Sequence, residues 1–426
     1  MEPTNTYIAL TIGSAHTTAV AAQMNEEGQL RILASETRPS EGIRHGEIIN
    51  PSATGFVVKN TLELLENRIK EKIAKVYVGI NGRSLKTFNT SIVREFSERI
   101  RITPDILKEM MQEISQARLD EGVIYEIFQQ EVLVDNEPEM APVGCNCLQL
   151  STGFRVVVGK SELKENTVRC FDRTGYVIIN TPLQLVTTAQ SLLSAFEREQ
   201  GCALIDFGAS CTSIAVYHHN FMRYMWVLPL GGNNITRDIM SLGVSTEIAE
   251  ELKIRYGNAL PNTVSATQRV SVRSEVDESA AIKIPLQTIA LVVEARITEI
   301  IDALWKAIQR SGVSDDLGAG LILAGNASKL RNLDQLLQTK TNLPVRMGSH
   351  SRFLEDGTNT QYHDISFAPS IGLLLTADED CLYKIPAQPD VNEKGPKIKR
   401  TTPLDKLRNK LANNIVGLFK YEESEE

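Results

Sequence analysis

The chain repeats itself once. Residues 7–21, YIALTIGSAHTTAVA, return 195 positions later as residues 202–216, CALIDFGASCTSIAV. Each copy is an apolar run, a turn of small residues and a second apolar run, which is the pattern of a tightly connected β-hairpin. Gly13 aligns with Gly208, and Thr17 with Thr212, without a gap. A hairpin duplicated at this distance predicts two related α/β lobes, each aiming a small-residue turn at a shared cleft. At 426 residues the chain has room for both.

Between the hairpins, residues 54–73 carry Val57, Val58, Leu62, Leu65 and Ile69 at helical spacing, and 75–80 read as a buried strand ending at Asn81-Gly82. From 83 to 160 the texture changes. Short strands near 131–134 and 154–158 surround one helix, 104–121, as in an inserted α+β module. Residues 180–199, 234–257 and 284–311 are helical by periodicity, and 264–283 alternate weakly, as a hairpin or a loop would. Residues 321–326 form a strand that breaks at a small-residue turn before a helix at 330–339. Residues 387–402 hold prolines, Gly395 and lysines with no apolar period, which is the composition of a flexible linker.

A last helix begins at Thr402-Pro403-Leu404-Asp405, where a capping hydroxyl, a first-turn proline and an acid suit a helix start. Leu404, Leu407, Leu411, Ile415, Leu418 and Phe419 share an arc of roughly 120°, with Lys406, Lys410 and Lys420 opposite. Residues 394–420 contain eight basic side chains and one acid, inside a chain of net charge −8. A basic amphipathic helix on a leash reads as a membrane-surface anchor, the alternative being a helix docked on its own protein. The acidic end, 422–426, has no role in this reading.

The acidic balance argues against non-specific nucleic-acid binding. No apolar run is long enough to span a bilayer, and the first residues lack the basic start and apolar block of a signal peptide. Six scattered cysteines fit reduced thiols in a cytosolic protein, and the pair Cys145/Cys147 supplies only two of the four ligands that structural zinc requires.

Several turns suit phosphate. Gly13-Ser14 and Gly208-Ala209-Ser210 can present backbone N–H groups and hydroxyls to phosphate oxygens. Asp206, just before its turn, can hold a magnesium ion through water. Gly231-Gly232-Asn233 leads into a helix whose N-terminus favours anions. Gly325-Asn326 ends a strand. One segment imitates a P-loop, but five residues rather than four separate Gly153 from Gly159-Lys160-Ser161, so Lys160 reads as a surface residue at a strand end. His218-His219 reads as a solvated turn, and His16 alone is weak support for a phosphate contact.

Each of these turns is common alone, but their order along the chain resembles the actin-like ATPase superfold. Within it the chain most resembles the FtsA family of bacterial cell-division proteins. The motifs that carry the resemblance are EGIRHGEI at 41–48, EREQGCALIDFG at 197–208 and AEELK at 249–253, and it covers 7–383 plus the terminal helix. It implies a two-lobed, duplicated actin-like α/β fold. Residues 1–82, 160–200 and 364–385 would form the first lobe core (1A), with an inserted 1C-type module at 83–159. Residues 201–233 and 318–363 would form the second core (2A), with 2B at 234–317, a linker at 386–402 and the amphipathic helix at 403–420.

The resemblance also implies ATP and Mg2+ in the cleft. Gly13, Ser14, Asp206, Gly208, Ala209 and Ser210 would meet phosphate and magnesium. Gly231, Gly232 and Asn233 would border the nucleotide, Glu250 and Lys253 would meet ribose and adenine, and Gly325 and Asn326 would face adenosine. From the residues alone, Glu250 and Lys253 read first as an ordinary solvated helix face. Arg296 matches a position implicated in holding the FtsZ tail, or else makes a surface salt bridge. The implied partners are the FtsZ C-terminal tail, further copies of the chain in a filament, an anionic membrane surface and later division proteins met through the 1C-type module. The implied location is the cytoplasmic face of the inner membrane at the division site.

Three departures stand out. Thr11 occupies the family's phosphate-1 aspartate, Ala209 and Ser210 replace phosphate-2 glycines, and Asn326 replaces an adenosine glycine. Binding with slow or absent hydrolysis follows, and no catalytic residue is assigned. The alternatives are a pilus-assembly-type actin-like adaptor and, less favoured, a small-molecule kinase on the same superfold, which would need a general base beside an acceptor hydroxyl.

Overall fold

The computed structural model describes residues 5–116, 122–273 and 281–383. The chain opens with a meander, β1 (Thr6–Ile12), β2 (His16–Met24) and β3 (Leu30–Pro39). A small ribbon, β4 (Ile43–Arg44) and β5 (Glu47–Ile48), leads into helix α1 (Pro51–Ile69) and strand β6 (Lys75–Gly79). The Asn50 side chain accepts from Ala53 N and Pro51 sits in the first turn, so α1 starts three residues before the apolar periodicity does. It stops at Ile69 because Lys70 turns left-handed.

The inserted module is β7 (Lys86–Arg101), α2 (Pro104–Ser115), β8 (Val123–Val134), β9 (Glu137–Glu139) and β10 (Asn146–Gly159). Its strands are long, not short. Polar residues alternate along them because only one face is covered, with Met110 and Ile114 of α2 packed on Leu150, Phe154, Val156 and Val158. Residues 117–121, expected to end its helix, lie outside the described residues. Lys160 is an exposed residue just past β10, as a strand-end residue should be.

Next come α3 (Glu162–Arg169), β11 (Val177–Asn180), α4 (Gln184–Leu192) and α5 (Ala195–Gln200). The single helix expected over 180–199 is therefore a strand end and two short helices. Leu193 is extended, and Ser194 forms a reciprocal capping box with Glu197, which starts a new helix at a new angle.

The second half runs β12 (Cys202–Phe207), β13 (Thr212–His218), β14 (Phe221–Leu228), α6 (Gly232–Met240) and α7 (Thr246–Tyr256). The helix expected over 234–257 breaks here, because Gly243 adopts φ +83° and Ser245 caps α7. The weakly alternating stretch is a hairpin, β15 (Arg269–Arg273) and β16 (Ala281–Pro285), followed by α8 (Leu286–Arg310). The chain then forms β17 (Gly320–Ala324), α9 (Leu333–Thr341), β18 (Val345–Met347) and α10 (Ala368–Leu375).

The repeat read from sequence is a repeat of topology. One sheet has the order β11-β6-β1-β2-β3, and the other contains β18-β17-β12-β13-β14, with the same polarities throughout. In the first hairpin of each sheet the register repeats residue for residue. Thr11 faces Thr18 as Asp206 faces Ser213, and Ile12 faces Thr17 as Phe207 faces Thr212. Helix α1 covers the outer face of the first sheet and α8 that of the second. Between the sheets α10 packs on β1 while α4 packs on β12 and β13. These inner helices approach so closely that a Cβ on Gly372 would lie 2.1 Å from Thr187 O. Ser191 Oγ donates to Ala368 O at 3.0 Å across the same crossing.

The inserted strands extend the second sheet. β7 joins β14 through Trp226 and Lys86, giving a nine-strand order that ends -β14-β7-β10-β8-β9. Arg223 of β14 donates to both carboxylate oxygens of Glu131 on β8 and to Gln130 Oε1, and Arg155 Nε of β10 donates to Arg223 O at 3.1 Å. Sequence texture did not show the sheet edge that these strands join. The linker 386–402 and the helix 403–420, with Leu404, Lys406, Leu407, Lys410, Leu411, Ile415, Leu418 and Phe419, lie outside the described residues.

Candidate functional site

The two glycine turns meet. Each is closed by one backbone bond, Gly13 N to His16 O and Gly208 N to Cys211 O, both 3.0 Å. Ser210 Oγ donates to Ser14 Oγ at 2.5 Å, so the hydroxyls of the two duplicated turns touch across the cleft. Ser14 Oγ also accepts from Gly46 N at 3.1 Å, and His45 Nδ1 donates to Ser210 O at 2.9 Å. A carbonyl only accepts, so this bond fixes the proton on Nδ1. The left-handed pair His45 (φ +50°) and Gly46 (φ +76°) aims both groups at the turns.

Asp206 ends β12 beneath its turn, and among the described residues none donates a hydrogen bond to its carboxylate. Burial without that compensation raises its pKa from 3.8 to about 6. Its neighbour across the strand pair, Ser213, is buried, and its Oγ has no partner among the described residues. Gly325 closes the other side at φ +79°, where a Cβ would sit 2.3 Å from Phe207 O and 2.4 Å from Asp206 Oδ1. Only glycine permits that approach. Asn326 follows and opens a short 3-10 turn.

The opposite strand end, in the first lobe, is uncharged. Thr11 Oγ1 lies 3.4 Å from both Thr18 O and Ser370 Oγ, so it is spent on local contacts. Beside it on β6 is Gly79, and a Cβ there would lie 3.2 Å from Gln184 Oε1. That oxygen, at the start of α4, is buried and has no partner among the described residues. The cleft floor thus carries one carboxylate and two unsatisfied polar side-chain atoms, an arrangement that stable cores avoid and ligand sites tolerate. One carboxylate with hydroxyl and amide oxygens suits a hydrated divalent cation better than a direct inner-shell site.

The third cluster departs from expectation. Gly232 N donates to Gly208 O at 3.0 Å and Asn233 N to Ala209 O at 2.7 Å, while Gly231 N bonds Asn234 Oδ1. These first-turn amides of α6 buttress the second hairpin turn and are not free for an anion. A Cβ on Gly231 would fall 2.6 Å from Gly208 O. From α7, Lys253 Nζ reaches Gly232 O (3.2 Å), Thr236 Oγ1 (2.9 Å) and Glu250 Oε2 (2.7 Å), and Thr236 Oγ1 donates to Glu250 Oε2 at 2.5 Å. Lys253 is thereby far from a solvated face, with its side chain 13% exposed.

Gly13, Ser14, Asp206, Gly208, Ala209, Ser210, Gly231, Gly232, Asn233, Glu250, Lys253 and Gly325 thus form one connected set. Arg296 lies elsewhere, on α8, where it grips Asp238 of α6 with two bonds of 2.6 and 3.0 Å. His16 is exposed at the turn, and His219 is exposed in a left-handed turn. Sequence reasoning missed His45, Gln184 and Ser213 as cleft residues. His45 lay inside a quoted motif, whereas nothing local marks Gln184 or Ser213. Among the described residues no group of His, Cys, Asp or Glu side chains is arranged to hold a metal, and all six cysteines are free.

Comparison with known proteins agrees with this architecture. A family model for cell division protein FtsA matches residues 203–372. The curated cell division protein FtsA of Pseudomonas aeruginosa is 27% identical over 371 residues, covering 86% of this chain and 88% of the relative. Other curated FtsA proteins match at 24–27% identity. Among solved structures, a chain of the PilM-PilN type IV pilus biogenesis complex superposes with a TM-score of 0.58 at 16% identity, covering 87% of this chain and 97% of that one. MreB5 of Spiroplasma citri bound to ADP gives 0.55 at 13% identity, covering 87% and 95%. The chain is a homologue of the cell-division proteins of the FtsA family, built on the actin-like fold.

Proposed function

We propose that the cleft binds ATP with Mg2+, and that the nucleotide gates self-assembly of a membrane adaptor for the cell-division ring. The observation that carries this reading is the meeting of the two glycine turns at Ser14 and Ser210 above a lone buried carboxylate. Phosphate oxygens would enter between the turns and take over the hydroxyls that now bond each other. Asp206 would hold the hydrated magnesium, which would supply charge neutralisation at the phosphates. Thr11 adds no second carboxylate, so hydrolysis is slow or absent. Titration calorimetry with ATP and Mg2+, followed by phosphate release, tests this. Absence of binding sinks it, and brisk turnover sinks the slow-hydrolysis part.

The adaptor role rests on the FtsA homologues and on the basic amphipathic segment near the C-terminus. The protein would carry the FtsZ tail, assemble with its own copies, recruit later division proteins through the inserted module, and lie on the cytoplasmic face of the inner membrane. No helix among the described residues is long and apolar enough to cross a membrane. Weak anchors linked in a filament gain avidity without new contacts. Sedimentation with anionic liposomes should pellet the full chain and leave a chain ending at Lys384 in solution, and equal pelleting of both would end the anchor idea. The fold likeness to the PilM-PilN chain favours a second reading, an adaptor for a short peptide of an inner-membrane protein. That adaptor would not need the terminal segment.

A further inference from the structure

The ribbon β4–β5 is an arm of the first lobe that reaches the second. Arg44 pairs with Glu47, so His45 and Gly46 are the two central residues of its turn, at φ +50° and +76°. Two consecutive positive φ values make a type I′ hairpin turn, which asparagine followed by glycine fills best. Histidine is a second choice there. The arm is braced on its own lobe. Glu47 Oε1 accepts from Ser84 N at 3.0 Å, and Ile48 O accepts from Asn166 of α3 at 2.7 Å. Gly42 O accepts from Ile49 N and Asn50 N at 2.8 and 3.0 Å. From this base the half-buried His45 ring crosses the cleft, and its Nδ1–H donates to Ser210 O in the second phosphate turn. A residue that fits its turn poorly, yet carries a bond between lobes, is placed for that bond.

We propose that His45 is a positioning residue, a latch that keeps the second phosphate turn at a fixed spacing from the first while the turn hydroxyls change partners. The proposal rests on reading the cleft as a nucleotide site, and it deepens that reading by naming a residue that discriminates a triphosphate from a diphosphate. Ser14 and Ser210 meet through a hydroxyl–hydroxyl bond. To donate to a phosphate oxygen, Ser210 must leave Ser14, so that link between the lobes is lost when the site fills. The His45 bond ends on a carbonyl. Ser210 O is itself an acceptor, and an ionised phosphate has no proton to offer it. His45 therefore holds the two turns at one spacing in both states. A terminal phosphate that touches both turns gains from this preorganisation, and a diphosphate that leans on one turn gains less.

The test uses the full-length protein and two variants. His45→Gly keeps the turn, because glycine adopts positive φ freely, and removes the donor. His45→Asn keeps both, because asparagine tolerates the left-handed region and its Nδ2 branches from Cγ as Nδ1 of the imidazole does. In the ligand-free protein, hydrogen exchange at 207–213 should be faster in His45→Gly and as slow as wild type in His45→Asn. Titration calorimetry with Mg2+ should find ATP affinity about fivefold lower in His45→Gly, the order of one net hydrogen bond, and ADP affinity within about twofold of wild type. His45→Asn should restore the ratio of ATP to ADP affinity to within about twofold of wild type. Unchanged exchange at 207–213 in His45→Gly overturns the latch. So does an equal loss of ATP and ADP affinity, or a His45→Asn variant as weak as His45→Gly. Wild-type protein that binds neither nucleotide overturns the nucleotide reading and the discrimination with it, and the exchange result alone then decides whether His45 joins the lobes.

Discussion

Asp206→Asn should stabilise the ligand-free protein above neutral pH. The folded-state pKa of Asp206 is raised from 3.8 to about 6 by burial without a donor. Between those values the folded chain binds more protons than the unfolded chain, so this group makes stability fall as pH rises. Below about 3.8 the carboxyl is neutral in both states and costs nothing. Above about 6 the folded protein carries the whole penalty. A gap of about two pH units at 1.36 kcal/mol each gives roughly 3 kcal/mol, good only to order of magnitude. Asparagine is neutral at every pH and nearly isosteric, and the buried Ser213 hydroxyl opposite has no partner to lose. The variant should therefore match wild type in urea unfolding at pH 4 and gain roughly 3 kcal/mol at pH 8. It should also lose Mg2+-dependent ATP binding. In wild type, adding ATP and Mg2+ at pH 8 should recover much of the difference. A variant no more stable than wild type at pH 8, or shifted equally at both pH values, would refute the argument that this carboxylate is held in the cleft at the expense of stability.

Two further outcomes are expected. Arg223→Ala removes the guanidinium that holds Glu131 below the usual carboxylate range against the upward push of its burial. The loss should be roughly 3 kcal/mol, with faster hydrogen exchange along β8 and β14 and little change in β11, and uniform protection loss would count against a local clamp. Gly325→Ala places a methyl within 2.3 Å of Phe207 O at a left-handed φ. It should lower stability by about 2 kcal/mol or more and weaken nucleotide binding together with it, so unchanged binding would separate Gly325 from the cleft.

Much of the architecture was legible because it is periodic. The hairpin repeat gave the 195-residue offset, and the paired sheets honour it down to the register of Thr11 and Asp206. Helices 284–311 and 54–73 were readable as amphipathic stripes. The failures were local interruptions. Ser194 and Ser245 look like ordinary helix residues in a periodicity window, yet each starts a new helix through its side chain. Likewise the Gly231-Gly232-Asn233 cluster has the composition of an anion site, but its amides are consumed by the neighbouring turn.

Sequence alone determined the duplication, the small residues at both turns, the solitary acid at 206 and the threonine at 11, because these are properties of residue type and spacing. Only the tertiary structure decided what those residues touch. It joined Ser14 to Ser210, brought His45 to the second turn, left Gln184 and Ser213 unsatisfied on the cleft floor, and set the insert against β14. Such contacts span from 140 to 196 positions of chain, and no local pattern encodes them. They arise where the two sheets pack on the α4–α10 layer, because burial is a property of the packed whole.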